Sequence, residues 1–457
     1  MSSLKELKIL SPCGILGYGY PKSSFMNGMN QKPDAIVVDA GSTDGGPHKL
    51  GAGVAIVSRR ACKKDLEIMI TEGAEAKIPV IIGSAGGSGG RGHVEWTYDI
   101  IQEIVREHDL QHLKVVIIWG DIDKVVVKER LKSGKVIPLG LTVKELTEER
   151  LDATTAIVAQ MGHEPIVKAL QMGADLIICG RAYDPSPFAA VAEFYGFPLN
   201  YGYHAGKILE CAALCAQPGT TKDCMLGTIT QDGFTITPLS NERRCTPTSV
   251  AAHTFYEKDH PYILHGPGVV LNLKDCTFTQ IDDKSVFVSG SRIERTDPYY
   301  IKLEGAMKVA YRTFVVAGVR DPLLISKLEE VEGLAEKQVR SYYSDIPDDD
   351  YKIHFINYGM NGVMGELEPL HDIPHEVGIV FEVIAKTQEL ANTVCGSLRS
   401  SLLHYGYEGR KSTAGNLAFP FAPSDIPFGP VYEFSVYHLM EVKDGCEMFP
   451  MEFRKIQ

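Results

Sequence analysis

The stretch Ala35-Ile36-Val37-Val38-Asp39-Ala40-Gly41-Ser42-Thr43-Asp44-Gly45-Gly46 predicts the fold class of this chain. A short β-branched run is followed at once by carboxylates, hydroxyls and glycines, which is typical of a buried strand that ends in a polar loop. The same change occurs in segments 79–90, 114–121 and 175–185. Helical patterns separate these segments, so the sequence predicts βαβ units and an α/β fold with a mainly parallel sheet and flanking helices.

The second half of the chain predicts two further regions. Alternating apolar and polar residues indicate a mixed β region that continues the first domain. The acidic, proline-containing stretch 344–350 predicts a loop or boundary, and a predicted strand at 375–384 and helix at 387–403 follow it. We therefore predict an α/β catalytic domain over residues 1–340 and a smaller α+β C-terminal domain over residues 351–457.

The composition excludes several classes of protein. The 457 residues carry a formal net charge of −12 and no long run of Lys or Arg, so they lack the basic face that nucleic-acid binding requires. No stretch approaches the ~20 apolar residues of a membrane span, and the first residues lack the apolar region of a signal peptide. The ten cysteines are scattered without a C-x-x-C motif, which indicates reduced thiols. We expect a cytoplasmic protein that binds neither nucleic acid nor membranes.

The polar residues at the strand ends are the candidate catalytic groups. In open α/β sheets ligands bind at the carboxyl ends of the strands, so these endings should converge on one crevice. Asp39, Asp44 and His93 are candidates for proton transfer, His204 is a further candidate base, and Ser42 is a candidate substrate contact. The alternative for the two carboxylates is that they cap turns, as Asp commonly does.

The glycine-rich loop after the predicted strand at 79–82 is a candidate anion site. Ser84, Gly86, Gly87 and Gly89 precede a helical pattern, and glycines let the backbone approach an anion at a helix N-terminus. The loop lacks the G-K-[ST] ending of a P-loop and the G-x-G-x-x-G spacing of a dinucleotide site, so a nicotinamide cofactor is not expected. The alternative is a simple flexible turn.

Arginines supply the candidate contacts to a substrate carboxylate. Arg181 follows an apolar strand, and Arg243 and Arg244 lie with Thr246 in a dense polar run. A guanidinium can bind a carboxylate through two parallel hydrogen bonds. The alternatives are an ion pair between Arg181 and Asp184, and ordinary surface charge for the other two arginines.

The sequence specifies no particular cofactor, and it leaves a divalent metal ion and its ligands open. Carboxylates and an imidazole near one sheet edge could also hold a divalent metal ion, with Asp39, Asp44, Asp121 and a histidine as ligands. These possible metal ligands are the basis of a second hypothesis about function.

Six short motifs occur together in this chain: Ile15-Leu16-Gly17-Tyr18-Gly19, Val38-Asp39-Ala40-Gly41-Ser42-Thr43-Asp44, Ser84-Ala85-Gly86-Gly87, Gly173-Ala174-Asp175, Gly180-Arg181-Ala182 and Glu242-Arg243-Arg244-Cys245-Thr246-Pro247-Thr248. Together they resemble the acyclic terpene utilisation (AtuA-like) family. The resemblance covers about residues 8–320, and it implies a bacterial protein encoded among catabolic genes for acyclic terpenes and other carboxylates or their CoA thioesters. It also implies a homo-oligomer or a complex with a small companion protein. Arg91 and Glu95 around His93 depart from the family pattern.

These observations lead to one main hypothesis and two alternatives. We expect a lyase (hydratase or dehydratase) or isomerase that acts beside the carboxylate or thioester of a small carboxylate or acyl-CoA substrate, because an enolate-like intermediate needs a base, an acid and fixed positive charge. The second hypothesis is a metal-dependent hydrolase or C–C lyase. The third is a non-catalytic ligand-binding subunit of a hetero-oligomeric enzyme.

Overall fold

All four apolar runs predicted as strands lie side by side in one ten-stranded sheet, and none of them is an edge strand. They are apolar along their whole length because both faces of each strand are buried. A computed structural model describes residues 4–41, 45–256 and 260–456 of the chain. Within these residues, no helix has both the length and the apolar character needed to cross a bilayer.

The described residues form nineteen strands and thirteen α-helices. The strands are β1 (Leu7–Ser11), β2 (Ala35–Asp39), β3 (Val80–Gly83), β4 (Val115–Ile118), β5 (Val136–Pro138), β6 (Ala156–Ala159), β7 (Leu176–Cys179), β8 (Met225–Ile229), β9 (Phe234–Pro238), β10 (Ile263–Gly266), β11 (Val269–Asn272), β12 (Thr277–Gln280), β13 (Val286–Ser289), β14 (Arg292–Arg295), β15 (Tyr299–Val319), β16 (Tyr351–Tyr358), β17 (Val377–Ala385), β18 (Asp425–Val442) and β19 (Met451–Arg454). The helices are α1 (Lys22–Met29), α2 (Gly46–Ala52), α3 (Arg59–Ala76), α4 (Arg91–Glu107), α5 (Lys124–Lys132), α6 (Glu148–Ala153), α7 (Glu164–Gln171), α8 (Ser186–Phe194), α9 (Leu199–Leu209), α10 (Pro247–Phe255), α11 (Pro322–Ile325), α12 (Leu328–Tyr342) and α13 (Gln388–His404).

The large sheet is mixed, with parallel strands only at its centre. Its order is β12-β13-β9-β8-β1-β2-β3-β7-β4-β19. The five strands from β1 to β4 in this order pair in parallel, whereas the strands beyond them on both sides pair antiparallel. The prediction of a mainly parallel sheet is therefore not confirmed for the sheet as a whole. Antiparallel strands such as β8 and β9 can join at an edge through a short turn, without a crossover helix.

The chain divides into two compact units whose bounds differ from the predicted domains. One unit comprises Met1–Met307 and Phe434–Gln457, and the other comprises Lys308–Glu433. The last residues rejoin the first unit because β19 pairs antiparallel with β4, where Phe453 lies opposite Val116. This pairing joins strands more than 330 positions apart in sequence, so no local pattern indicates it.

In the first unit, the two faces of the central sheet bury different residues. Ala35 and Val37 of β2 belong to one apolar cluster, and Ile36 and Val38 belong to another. Because side chains alternate across a strand, this division places a layer of core on each face of the sheet. Burial of both faces holds the carboxyl ends of the parallel strands at one edge, where the polar loops begin.

The second unit is an antiparallel sheet with helices packed against it. Residues Tyr311–Val319 of β15 pair with β17, and β17 pairs with β16. Alternate residues of β17 are buried, and they form an apolar core with the buried residues of α12 and α13. The strand and helix predicted at 375–384 and 387–403 are β17 and α13.

Candidate functional site

The carboxyl ends of β2, β3 and β7 bring Asp39, Ser84 and Arg181 together. The Oγ of Ser84 accepts a hydrogen bond of 2.9 Å from Nη1 of Arg181. Gly41, just after Asp39, packs so closely that a Cβ there would lie 2.9 Å from the Ser84 side chain and 3.0 Å from Arg181 Nη1. The predicted convergence of strand ends therefore brings these three residues into one cluster.

Arg181 is held by two carboxylates of the protein itself. Its Nη1 donates to Asp184 Oδ1 at 2.8 Å, and its Nε donates to Glu304 Oε2 at 3.0 Å. Lys302 also lies 2.9 Å from Glu304. Burial alone would raise the pKa of Glu304, but Arg181 and Lys302 lower it to about 2. The ion pair between Arg181 and Asp184, which was the alternative to a substrate contact, is thus present.

Asp39 is a buried carboxyl group with one oxygen left over. Asp39 is only 3% exposed. Its Oδ2 accepts a hydrogen bond from Gly41 N at 3.0 Å. Its Oδ1 has no hydrogen-bond partner among the described residues. Burial and the neighbouring Asp184 raise the pKa of Asp39 well above its usual range, and Arg181 only partly offsets this effect. Asp39 is therefore suited to keep a proton at a higher pH than an ordinary carboxyl group does.

A second buried ion pair lies at the C-terminal end of α9. Lys207 Nζ lies 2.7 Å from Glu210 Oε1, and both side chains are buried. The Lys207 ammonium also lies 4.5 Å from the centre of the Tyr256 ring. Burial and the positive charge of Lys207 lower the pKa of nearby His253 to about 4, so this histidine is neutral at pH 7.

The charges of the cluster balance only when Asp39 is protonated. Glu210 influences Asp39 electrostatically, and Asp184 influences both Asp39 and Lys207, so the two ion pairs belong to one cluster. The remaining charged members are three carboxylates and three cations: Asp184, Glu210, Glu304, Arg181, Lys207 and Lys302. Sequence reasoning missed Glu304 and Lys302. Their only signal is two charged residues at alternate positions of an apolar strand.

The predicted glycine loop packs against protein backbone. Gly89 has φ +64°, and a Cβ there would lie 2.1 Å from the backbone N of Arg181. A Cβ on Gly180 would lie 2.4 Å from the backbone N of Gly120. The loops after β3, β4 and β7 therefore meet backbone to backbone, which only glycine permits. Gly86 and Gly87 also have positive φ, and they pack against His93 and Ile56.

The N-terminus of α4 already has an anionic partner. Asp121 Oδ1 accepts a hydrogen bond of 2.8 Å from the backbone N of Arg91, the first residue of the helix. A carboxylate at this position satisfies a helix N–H group and interacts favourably with the helix dipole. The protein itself thus supplies a carboxylate where the sequence predicted an external anion.

The two candidate histidines have structural contacts. His93 Nε2 lies 3.2 Å from the carbonyl of Lys49 and 3.1 Å from that of Val54, so its N–H is used within the fold. Burial lowers the pKa of His93 despite these bonds. His204 is fully buried, with Nε2 3.2 Å from Thr254 Oγ1 and its ring edge-on to Phe234.

The remaining candidate anion contacts lie at the turn before α10. Arg243 Nε donates to Asp223 Oδ2 at 2.8 Å, and its Nη1 donates to the carbonyl of Pro218. Arg244 is exposed, and both arginines line a cleft of about 670 Å³ with Lys284. Thr246 is the N-cap of α10, where its Oγ1 accepts from the Ser249 backbone. Arg243 and Thr246 therefore have partners within the protein.

The described residues do not include two of the candidates, and they do not form the proposed metal site. Ser42 and Asp44 lie outside the described residues. In segments 4–41, 45–256 and 260–456, the sole group of three metal-ligand side chains close enough to share an ion is Glu67, Glu107 and His108. That group is on the surface and contains neither Asp39 nor Asp121.

Comparison with known proteins decides the family. The model of the acyclic terpene utilisation family protein AtuA matches residues 59–421, well over half of the chain. The chain belongs to the AtuA family. The family predicted from the motifs is thereby confirmed, and the match covers Ser84, Arg181 and Glu304, whereas Asp39 lies before it. No curated protein and no solved structure matches the chain.

Proposed function

We propose that this AtuA-family protein is a catabolic enzyme, a lyase of the hydratase or dehydratase type or an isomerase, that acts through an enolate-like intermediate. The family description, acyclic terpene utilisation, supports a catabolic role. The substrate in this proposal is a small carboxylate or its acyl-CoA thioester, because removal of a proton beside such a group is chemistry that one acid–base residue and fixed positive charge can perform.

The observation that carries the proposal is the free Oδ1 of Asp39 beside buried cations. A carboxyl with a raised pKa holds its proton to a higher pH than an ordinary carboxyl, so it can donate that proton to a substrate and take it back. Arg181 and Lys207 stay positively charged in the same cluster, because Glu304 and Glu210 offset the cost of burying them. They act as positioning and charge-stabilising groups in this proposal.

Asp184 is the member of the cluster that faces solvent. Its side chain is 38% exposed, whereas that of Arg181 is 9% exposed. A substrate carboxylate at this place would compete with Asp184 for the Arg181 guanidinium. Binding of the substrate would therefore release Asp184 from Arg181. We therefore propose that Arg181 binds the substrate carboxylate, as the sequence predicted, and that the substrate displaces Asp184.

The proposal also includes the oligomeric state and the cellular location of the protein. A homo-oligomer or a complex with a small companion protein, and a cytoplasmic location, remain expectations from the sequence. Size-exclusion chromatography with light scattering, on the chain alone and with co-expressed neighbouring gene products, tests the assembly.

Exchange of a substrate proton with solvent tests the chemistry directly. The protein is incubated in D₂O with a panel of free carboxylic acids and their CoA thioesters, and loss of the α-proton signal is followed by NMR. We expect Asp39→Asn to slow exchange at least about 100-fold, a typical contribution of one acid–base residue. Asp232→Asn, in an exposed turn, is the matched control. An Asp39→Asn variant that exchanges at the wild-type rate would overturn the proposal.

A further inference from the structure

A cleft of about 620 Å³ lies in the first unit, between the start of α7 and the segment that joins β18 to β19. Its wall includes Glu164 and Lys168 of α7, Tyr299 at the start of β15, and Cys446. None of these residues belongs to the Asp39 cluster described above. The cleft therefore presents a carboxylate, an ammonium, a phenol and a thiol at a place to which the proposed reaction assigns no role.

The carboxylate of Glu164 is held at the base of the cleft. Its Oε2 accepts a hydrogen bond of 3.0 Å from the Tyr299 hydroxyl and lies 3.3 Å from Nδ1 of His163. His163 is fully buried, and its Nε2 lies 2.7 Å from Glu193 Oε2 on the other side of the ring. His163 Nδ1 also lies 2.9 Å from the Tyr203 hydroxyl, so the hydrogen bond from Tyr299 is the one that holds Glu164.

Two glycines enclose the Glu164–Tyr299 pair. A Cβ on Gly162 would lie 2.6 Å from Glu164 Oε2 and 2.7 Å from the Tyr299 hydroxyl. A Cβ on Gly445 would meet the same two atoms at 2.6 and 2.7 Å. Such close backbone on both sides leaves Glu164 little freedom to change its rotamer.

Lys168 is consequently left without the ion pair expected from its position. Glu164 and Lys168 are four residues apart on one helix, the spacing at which Glu and Lys normally pair. Glu164 is held by the Tyr299 hydroxyl, and the Lys168 ammonium interacts with the Cys446 thiol, which raises the pKa of Lys168. Among the described residues, Lys168 forms no ion pair with a carboxylate.

Four acidic residues line the cleft, and one of them, Asp297, is exposed and forms no ion pair among the described residues. Glu441 lies 2.6 Å from Lys135, and Asp444 Oδ1 accepts a hydrogen bond of 2.8 Å from the backbone N of Cys446. Asp444 and Glu164 contribute negative potential at Lys168, while Lys443 adds positive charge to the wall and Arg295 lies 3.6 Å from Glu193. Lys168 is therefore an exposed cation that lines, together with the Cys446 thiol, a cleft large enough for a small molecule.

We propose that this cleft is a second ligand site, which binds the carboxylate of a small organic acid at Lys168 with the thiol of Cys446 beside the bound anion. The site is independent of the proposed reaction at Asp39, so each can fail without the other. Ligand carboxylate replaces Glu164 as the anionic partner of Lys168, and the enclosed Glu164–Tyr299 pair forms the base against which the ligand lies.

Alkylation of Cys446 by a charged and a neutral reagent tests the site in the full chain. Iodoacetate and iodoacetamide both form a C–S bond from the thiolate and release iodide, with the thiol proton going to solvent. They differ in the carboxylate that Lys168 should attract. The ratio of the two rates does not depend on the thiolate fraction, because both reagents react with the same thiolate. Peptide mass spectrometry separates Cys446 from the other partly exposed cysteines, Cys211 and Cys276.

We expect the iodoacetate-to-iodoacetamide rate ratio at Cys446 to exceed the ratio for glutathione by about fivefold, since one ammonium a few ångströms from the reacting sulfur attracts the charged reagent. Lys168→Met should return the ratio to that of glutathione, and Lys168→Arg should keep most of the preference. Lys337→Met, at an exposed position of α12, should change nothing. A wild-type ratio equal to that of glutathione, a Cys446 that neither reagent labels, or a preference that survives in Lys168→Met would each overturn the proposal.

Discussion

Glu304→Gln tests whether the buried charges of the Asp39 cluster are organised as the structure indicates. The substitution keeps the shape of the side chain but removes the negative charge that Arg181 and Lys302 face. Glu304 has a folded-state pKa of about 2 against an ordinary value of 4.5. At about 1.36 kcal/mol for each pKa unit, the charged form contributes roughly 3 kcal/mol to the free energy of unfolding at pH 7. Loss of one partner from a buried ion pair typically costs about 3–5 kcal/mol, which agrees.

The sign of the pH dependence follows from the lowered pKa. The contribution of Glu304 is complete above the unfolded-state value of 4.5 and is lost as the pH falls towards 2. The difference in free energy of unfolding between wild type and Glu304→Gln should therefore shrink from about 3 kcal/mol at pH 7 to about 1 kcal/mol at pH 3.

Urea unfolding followed by tryptophan fluorescence measures this difference in one unit alone. Both tryptophans of the chain, Trp96 and Trp119, lie in the first unit, as does Glu304. Glu148→Gln is the matched control, because Glu148 pairs with Lys128 on the surface and exposed pairs contribute little. A Glu304→Gln variant as stable as wild type at pH 7, or a difference that does not shrink in acid, would refute the proposed charge arrangement.

Three further predictions concern stability. Asp39→Asn should gain stability relative to wild type as the pH rises above about 4 in urea titrations, because folded Asp39 keeps a proton that the unfolded chain releases; a pH-independent difference contradicts this. Gly89→Ala should lower the free energy of unfolding by more than about 2 kcal/mol because its Cβ would overlap the backbone of Arg181. Gly46→Ala has a similar positive φ but open space around it, so it should cost only about 1 kcal/mol; equal thermal shifts would show that contact is irrelevant at Gly89. Wild type should lose free energy of unfolding as the pH falls from 6.5 to 4, because folded His253 stays neutral down to about pH 4 while the unfolded chain binds a proton. His253→Asn should make this loss smaller, and an NMR titration of the His253 ring near pH 6.5 would disprove the prediction.

Much of the central fold was predictable because its signals are local. A strand buried on both faces is a continuous apolar run, and such runs predicted β2, β3, β4 and β7. The edges of the sheet were not predictable in this way. The pairing of β19 with β4, and of Leu303–Ala306 in β15 with β6, depends on contacts between distant segments. Neither partner carries a residue pattern that specifies the other.

The candidate site was likewise predictable only in part. The rule that parallel strands end at one edge was sufficient to group Asp39, Ser84 and Arg181. The rule does not say where each side chain finds its hydrogen-bond partners. His93 and Thr246 have the residue types of a reactive site, yet nearby backbone groups use His93 Nε2 and Thr246 Oγ1.

The sequence by itself determined the α/β class, the central strands and the AtuA family, because apolar periodicity and short motifs are properties of neighbouring residues. Only the tertiary structure decided the charge state of the site. Arg181 meets Glu304 from a strand 123 positions away, and burial of Asp39 depends on the whole surrounding core. Electrostatic energies depend on distance and on exclusion of water, and folding sets both.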